Sequence, residues 1–423
     1  MNKIISFTLT LFSFLLMHSS RANHIAGGDL TYVCLGGNQY QVNLNLFVDC
    51  AASNPLGSQQ TINYYSSCGG SSAVQLDLLN PGGTEISQLC PSQISNSSCN
   101  GGTLPGMRIY RYTGIIILTP CNTWTLSWGT CCRNAAVSNL QNPSTYGTYL
   151  EATLHSATAS CNSSPSFTAR SIPYVCVNQL VNYNYGVTEK DGDSLNFSLI
   201  NAMAVGPTNL TYTSGYSATS PIPGITIDPV TGQLVFTPTT IGNFVVVILV
   251  KEYDSNGNLI GTVMRDLQFV VQSCSNSVPN PTAGTITNLS GSAVQTGPYS
   301  LELCEGSKFS FDANYSDADV GDKLTLVSNI TTVLPGATFD TAGKNPVIAH
   351  ISWTAPPGSA NSKIIFSVTV NDGSCPIPIQ QTFIYTLKIT SRTWAGPDKI
   401  ICRSQSATLS GSGGSIFKWT VLN

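Results

Sequence analysis

Two runs of acidic residues are the parts of this chain best suited to chemistry. Glu189, Asp191 and Asp193 crowd one stretch around Gly192, and Asp254 opens a second polar turn, Asp254-Ser255-Asn256-Gly257-Asn258. If both turns lie at one end of a β-sandwich, the four carboxylates converge. Asp317, Asp319, Asp322 and Asp372 form the equivalent set further along. Close carboxylates repel unless a cation neutralises them, and Ca²⁺ takes about six to eight oxygen ligands. A plainer alternative stands beside this one: Asp-Gly-Asp is also an ordinary β-turn whose side chains bond their own backbone. The regular EF-hand spacing is absent.

Other chemistries find little support. The chain has 4 His, and no G-x-S-x-G or H-E-x-x-H occurs, so hydrolysis lacks its usual side-chain sets and the chain reads as a non-enzyme. No C-x-x-C occurs either, which argues against a zinc ribbon or a thioredoxin-like motif. A net charge of −3 supplies no basic field for nucleic acid.

The elements that must position these acids are strands. Ile225 and Ile227 alternate with polar neighbours, Asp228-Pro229-Val230-Thr231-Gly232 supplies a turn, and Leu234 and Phe236 return on the same face. A long apolar strand covers residues 244–250. The same order recurs: an acidic turn at residues 317–323, a Pro335-Gly336 turn, Ile351-Ser352-Trp353, then a strand over residues 366–370. Gly192 and Gly321 stand at equivalent places in the two copies. That period suits serial domains rather than a solenoid. With 37 Gly and 23 Pro, many short strands fit better than helices. The predicted fold is all-β: serial Ig-like or cadherin-like sandwiches behind a cysteine-rich β-module.

Residues 1–22 read as a signal peptide, with Lys3 before an apolar core and Ser20-Arg21-Ala22 as the cleavage site. No later segment reaches membrane-spanning length. The 14 cysteines of an exported chain then imply disulfides. Cys304 and Cys375 bracket one repeat copy and are expected to pair, as are Cys176 and Cys274 around the other. Nine cysteines precede Cys176, so one is free or crosses a domain boundary. Cys131 and Cys132 are expected to point to opposite faces and bridge to different partners.

The expected modules are residues 23–172, 173–275 and 283–391. Residues 276–282 form a linker, and residues 394–423 read as the truncated start of another module. In the first module, residues 40–48 alternate strictly, and Trp124, Leu126 and Trp128 share a face.

His24-Ile25-Ala26-Gly27-Gly28-Asp29-Leu30-Thr31-Tyr32, then Asp49-Cys50 and Trp128-Gly129-Thr130-Cys131-Cys132-Arg133-Asn134, resemble the opening module of large Bacteroidetes surface proteins. Those proteins are gliding-motility-associated and leave by type IX secretion; their sorting domain is absent from this chain. Asp191-Gly192-Asp193-Ser194-Leu195 with the Pro223-Gly224 hairpin is similar to cadherin-like and Ig domains of bacterial adhesins. Ala395-Gly396-Pro397-Asp398 resembles the start of a PKD-type repeat. In the same phylum, Asp-Ser/Thr before a small or aliphatic residue is an O-glycosylation signal, which Ser194 and Thr341 match.

The resemblance implies a calcium-stiffened stalk or adhesin on the outer surface of a Gram-negative cell, facing glycans or proteins. Two alternatives are a carbohydrate-capturing module, with Tyr64, Tyr65, Tyr110 and Tyr112 as candidate contacts, and the non-catalytic front of a secreted hydrolase.

Overall fold

A computed structural model describes residues 25–51, 56–168, 173–392, 407–411 and 418–419. The expected signal peptide lies outside these residues, as does most of 394–423.

The regular structure of the described residues is almost all strand, with one α-helical turn at Ile330–Val333 and short 3₁₀ turns at Pro91–Asn96, Ser98–Asn100 and Pro143–Thr145. Alternation is the reason. In Gln39–Asp49, Tyr40, Val42, Leu44 and Leu46 are all fully buried while Gln41, Asn43 and Asn45 between them are more exposed. Trp124, Leu126 and Trp128 are buried as a set, and both indole N–H groups find acceptors, Thr119 O and Gln60 Oε1.

One large sheet runs Ile25–Gly36, Gln39–Asp49, Met107–Ile117, Ser71–Leu78, Gln59–Ser66, Trp124–Thr130, Thr148–Leu154, Leu259–Gln272, Gly242–Tyr253 and Ser194–Ile200. This path returns on itself. Gly242–Tyr253 occupies one edge of Leu259–Gln272 over its whole length. The other edge takes Thr148–Leu154 through Gly261↔Leu154 and Val263↔Ala152. Next along it comes Ile25–Gly36, through Gly27↔Leu267, Gly28↔Asp266 and Asp29↔Arg265. Seven strands of the cysteine-rich region thus wrap round and close on a strand from the following region. One apolar core, from Ile25 to Val271, fills both. Sheet and core therefore cross the boundary placed at 172/173. A smaller sheet, Val181–Tyr183, Leu234–Phe236 and Thr226–Ile227, faces the large one, with Phe236 on Phe269 at 5.5 Å between ring centroids.

Residues 283–391 form a β-sandwich with its own core. Ile286–Gly291, Lys308–Tyr315, Val347–Thr354 and Thr338–Gly343 make one sheet. Val294–Gly297, Ser300–Cys304, Gln380–Thr390, Lys363–Asn371 and Thr325–Ser328 make the other.

Six disulfides occur among the described residues: Cys34–Cys161, Cys50–Cys99, Cys68–Cys121, Cys90–Cys375, Cys131–Cys132 and Cys176–Cys274. Two expectations are corrected. Cys375 bonds Cys90, not Cys304, which has no disulfide partner among the described residues. The reason is strand geometry. Cys304 lies opposite Thr390, at the end of Gln380–Thr390. Cys375 lies in the hairpin that precedes Gln380. The length of that strand separates them by roughly 30 Å at about 3.3 Å per residue, far beyond the roughly 7 Å a disulfide can span between Cα atoms. The second correction is that Cys131 and Cys132 bond each other. The remaining early cysteines pair among themselves or, for Cys90, across to the sandwich, and so leave these two only one another. Cys90 is the odd cysteine of the early nine.

Candidate functional site

The first acidic turn folds around Glu189. Its carboxylate accepts the N–H groups of Asp191 at 2.7 Å and Asp193 at 2.8 Å, with Gly192 between them at φ 90°. That left-handed backbone suits glycine. Asp193 is thereby held beside the end of Ser194–Ile200. In the neighbouring strand Glu252 lies opposite Leu195. The carboxylate oxygens of Glu189, Asp193 and Glu252 come within 4.8 Å of one another. Glu252 is fully buried. Its Oε2 accepts from Asn162 Nδ2, and its Oε1 has no hydrogen-bond partner.

The expected Asp191 and Asp254 do not join this cluster. Asp191 accepts from Ser163 N at 2.6 Å. Asp254 closes its own turn, accepting from Asn258 Nδ2, Asn258 N and Asn256 N, and those bonds hold its carboxyl below the usual range. Glu252 escaped the sequence reading because it sits in an apolar strand, outside any acidic run.

The second cluster joins Asp317, Asp322 and Asp372 within the same 4.8 Å. Asp372 Oδ1 accepts from Ser374 N and Ile379 N, and its Oδ2 from Asn276 Nδ2 at 2.8 Å. Asp317 Oδ1 accepts from Asp319 N, whereas Asp317 Oδ2 and Asp322 Oδ2 are buried without partners. Asp319 turns away to accept from Ser277 N at 2.7 Å. Asn276 and Ser277 belong to the 276–282 linker, so the cluster grips the joint through Asp372, with Asp319 holding it from outside the cluster.

Among the described residues no cation pairs with these carboxylates: the four ion pairs there involve other ones. Burial pushes Glu252 up to about 8, with Glu189, Asp193 and Asp191 adding to the rise and Asn162 opposing it. Burial likewise raises Asp372 to about 6, and raises Asp193 and Asp317. All-oxygen, all-carboxylate clusters of this kind suit a hard divalent cation.

A pH dependence follows. A carboxyl whose pKa is raised by folding stabilises the fold below its unfolded value and loses that contribution as pH climbs through the folded one. Carboxyls lowered by folding, such as Asp228 and Asp312, have given their full contribution by about pH 5. In EDTA the melting temperature should therefore fall between about pH 5 and 8, the window set by Asp372 and Glu252. A flat or rising profile in circular-dichroism melts would mean that these carboxyls are not buried as described.

The residues singled out by the family resemblance have another role. Arg133 Nη1 donates to Asp266 Oδ1 at 3.1 Å and Nη2 to Asp266 Oδ2 at 2.5 Å, while Nε donates to Gly147 O. Asp29 pairs with Arg265 at 3.6 Å. All four are buried. The Gly27-Gly28-Asp29 and Cys131-Cys132-Arg133 motifs thus meet on adjacent residues of the closing strand. A Cβ on Gly28 would meet Asn45 O at 2.6 Å, so the close approach of the strands needs glycine there.

Ser194 and Thr341, the expected glycosylation positions, are exposed on strands. Tyr110 and Tyr112 are buried, and Tyr65 alone of the four candidate tyrosines is exposed. His350 lies on an exposed sheet face, with Nδ1 2.6 Å from Asp312 Oδ1.

No protein-family model and no curated protein matches the chain. Similar solved structures are of tandem Ig domains. The titin I-band fragment I67–I69 is 10% identical, with 86% of this chain and 99% of that chain covered and a TM-score of 0.18. Three N-terminal domains of the Hoc capsid protein of bacteriophage RB49 are 10% identical, covering 88% and 100%, at 0.17. The eight N-terminal Ig domains of DSCAM are 10% identical, covering 84% and 35%, at 0.19. These TM-scores are too low to establish a common arrangement of modules. The all-β, Ig-like character rests on the strands and sheets themselves. No helix among the described residues is long and apolar enough to cross a membrane. The disulfides mark an oxidising, extracellular setting.

Proposed function

We propose that this chain is an exported, non-enzymatic surface protein, a stalk or adhesin whose β-sandwiches are stiffened by Ca²⁺ at the two acidic clusters. The buried carboxylate oxygens without partners carry the reading: Glu252 Oε1, Asp317 Oδ2 and Asp322 Oδ2. An unpartnered buried carboxylate is costly, and a cation is the simplest compensation. Glu189, Asp193 and Glu252 would hold one ion. Asp317, Asp322 and Asp372 would hold the other, and Asp372 fixes the linker through Asn276. Such joints suit a protein that holds its distal end away from a cell and meets glycans or proteins there. The resemblance to gliding-associated Bacteroidetes proteins with cadherin-like and PKD-type modules points to the outer surface.

Calorimetric melting of the mature chain in EDTA and in millimolar CaCl₂ tests this. Calcium at 100 times its dissociation constant adds about 2.7 kcal/mol per site. Domains of this size gain roughly 2–4 °C per kcal/mol, so a rise of roughly 5–10 °C is expected. Glu252→Gln should remove the share of the first cluster and Asp372→Asn that of the second. Superimposable curves in the two buffers would reduce the clusters to ordinary turns and remove calcium from the reading.

A further inference from the structure

Away from both acidic clusters, a row of polar side chains crosses four neighbouring strands of the first body. Arg265, Asp29, Asn45 and Arg111 stand directly opposite one another in successive strand pairs. Directly opposed residues project from the same face of a sheet. The core residues Leu30, Leu44 and Tyr112 are their chain neighbours and face the other way. Within the row Asn45 Nδ2 donates to Asp29 Oδ1 at 2.7 Å, and Asp29 Oδ2 lies 3.6 Å from Arg265 Nη1. Phe47 and Phe167 place their rings 5.2 Å and 4.8 Å from the Arg265 guanidinium carbon. These six residues line a cavity of about 440 Å³, within the usual size of a small-molecule site.

Charge and chemistry narrow the occupant. Asp29 offsets Arg265. Arg111 is half-buried, and its guanidinium makes no ion pair or hydrogen bond among the described residues. Among the described lining residues the cavity thus carries one positive charge in excess, on Arg111, a planar group that suits a carboxylate. Asn45 Oδ1 is an acceptor that no described donor uses, next to a buried carboxylate. Hydroxyl groups fit both. The Phe167 ring offers an apolar wall for the C–H face of a sugar ring.

We infer that this cavity binds a hydroxylated monocarboxylate of sugar size, a uronic acid residue, with Arg111 on the carboxylate and Asn45 and Asp29 on the hydroxyls. The site is independent of calcium and of the stalk role. It would give an exported protein a grip on acidic polysaccharide.

Isothermal titration of the full, oxidised mature chain with D-glucuronate, D-galacturonate, D-galactose and acetate tests the assignment. At least one uronate should bind saturably, with galactose and acetate at least tenfold weaker, because each keeps only part of the contacts. Arg111→Gln should weaken the uronate at least tenfold and leave the melting temperature unchanged, since its guanidinium pairs with nothing among the described residues. Absence of saturable heat with both uronates overturns the proposal. Galactose binding as tightly as the uronates, or Arg111→Gln binding like the parent, overturns the carboxylate assignment. Acetate binding as tightly overturns the sugar.

Discussion

Asp266→Ala should destabilise the first body by about 3–5 kcal/mol, the usual result of removing one partner from a buried ion pair. Asp266 is fully buried, and Arg133 is 2% exposed. The variant therefore strands a guanidinium that water cannot reach. Asp29 nearby is already paired with Arg265, so it is not free to serve Arg133 as a substitute partner. For a body of this size the melting temperature should drop by roughly 6–20 °C. Added salt should change the effect little, because buried pairs are poorly screened. Replacing both partners by apolar residues, Arg133→Met with Asp266→Leu, should cost less than Asp266→Ala alone. Part of the cost must stay, because Arg133 also satisfies Gly147 O and Met203 O. A parent-like melt for Asp266→Ala would show that the motif residues do not hold the closing strand.

The contrast between the motif and its partner explains how far the fold was legible. Strict alternation over Gln39–Asp49 specifies a strand with one buried face, and that part of the architecture can be read locally. The closure on Leu259–Gln272 cannot. Its evidence is a pairing between residues more than two hundred positions apart, and register of that kind leaves no local mark. Arg265-Asp266 even looks like the exposed part of a strand, since charged residues are rarely buried. Only Gly27-Gly28, needed where strands approach closely, and Asp29 beside them hinted at a partner. No local feature near the 172/173 boundary reveals a sheet shared across it.

The acidic clusters divide the same way. Glu189 and Asp193, and Asp317 and Asp322, lie in single loops, so their convergence follows from short-range turn chemistry. Glu252 and Asp372 come from strand ends elsewhere in the chain. Asp372 was found because the repeat supplied an equivalent position. Glu252 has no acidic neighbour in sequence, and its signal, a carboxylate in an otherwise apolar strand, is also that of an exposed strand residue. Asp254 was the opposite case: a turn-forming side chain satisfied by its own backbone.

Cys375→Ala should uncouple the two bodies. The Cys90–Cys375 bond spans 285 residues of sequence and, among the described residues, is the one disulfide that joins the cysteine-rich region to the 283–391 sandwich. Around it Cys90 N donates to Pro376 O, Gln88 Nε2 to Pro378 O at 2.7 Å, and Gln381 exchanges bonds with Leu180 O and Asn182 N. Val278 and Ile379 pack against Cys176 in a small apolar cluster at the same joint. Most of these contacts are polar, so the covalent link supplies much of the restraint. Removal of a native disulfide typically costs about 2–5 kcal/mol, and the long loop favours the upper part of that range. The loss should be seen as one calorimetric transition splitting into two, with the 283–391 sandwich and the first body melting separately. Cys304→Ala is the control: this thiol has no disulfide among the described residues, so its melt should differ from the parent by under about 1 kcal/mol. A single unshifted transition for Cys375→Ala, or a large loss for Cys304→Ala, would put the covalent link back within the sandwich and leave the joint to its hydrogen bonds and the Asp317–Asp322–Asp372 cluster alone.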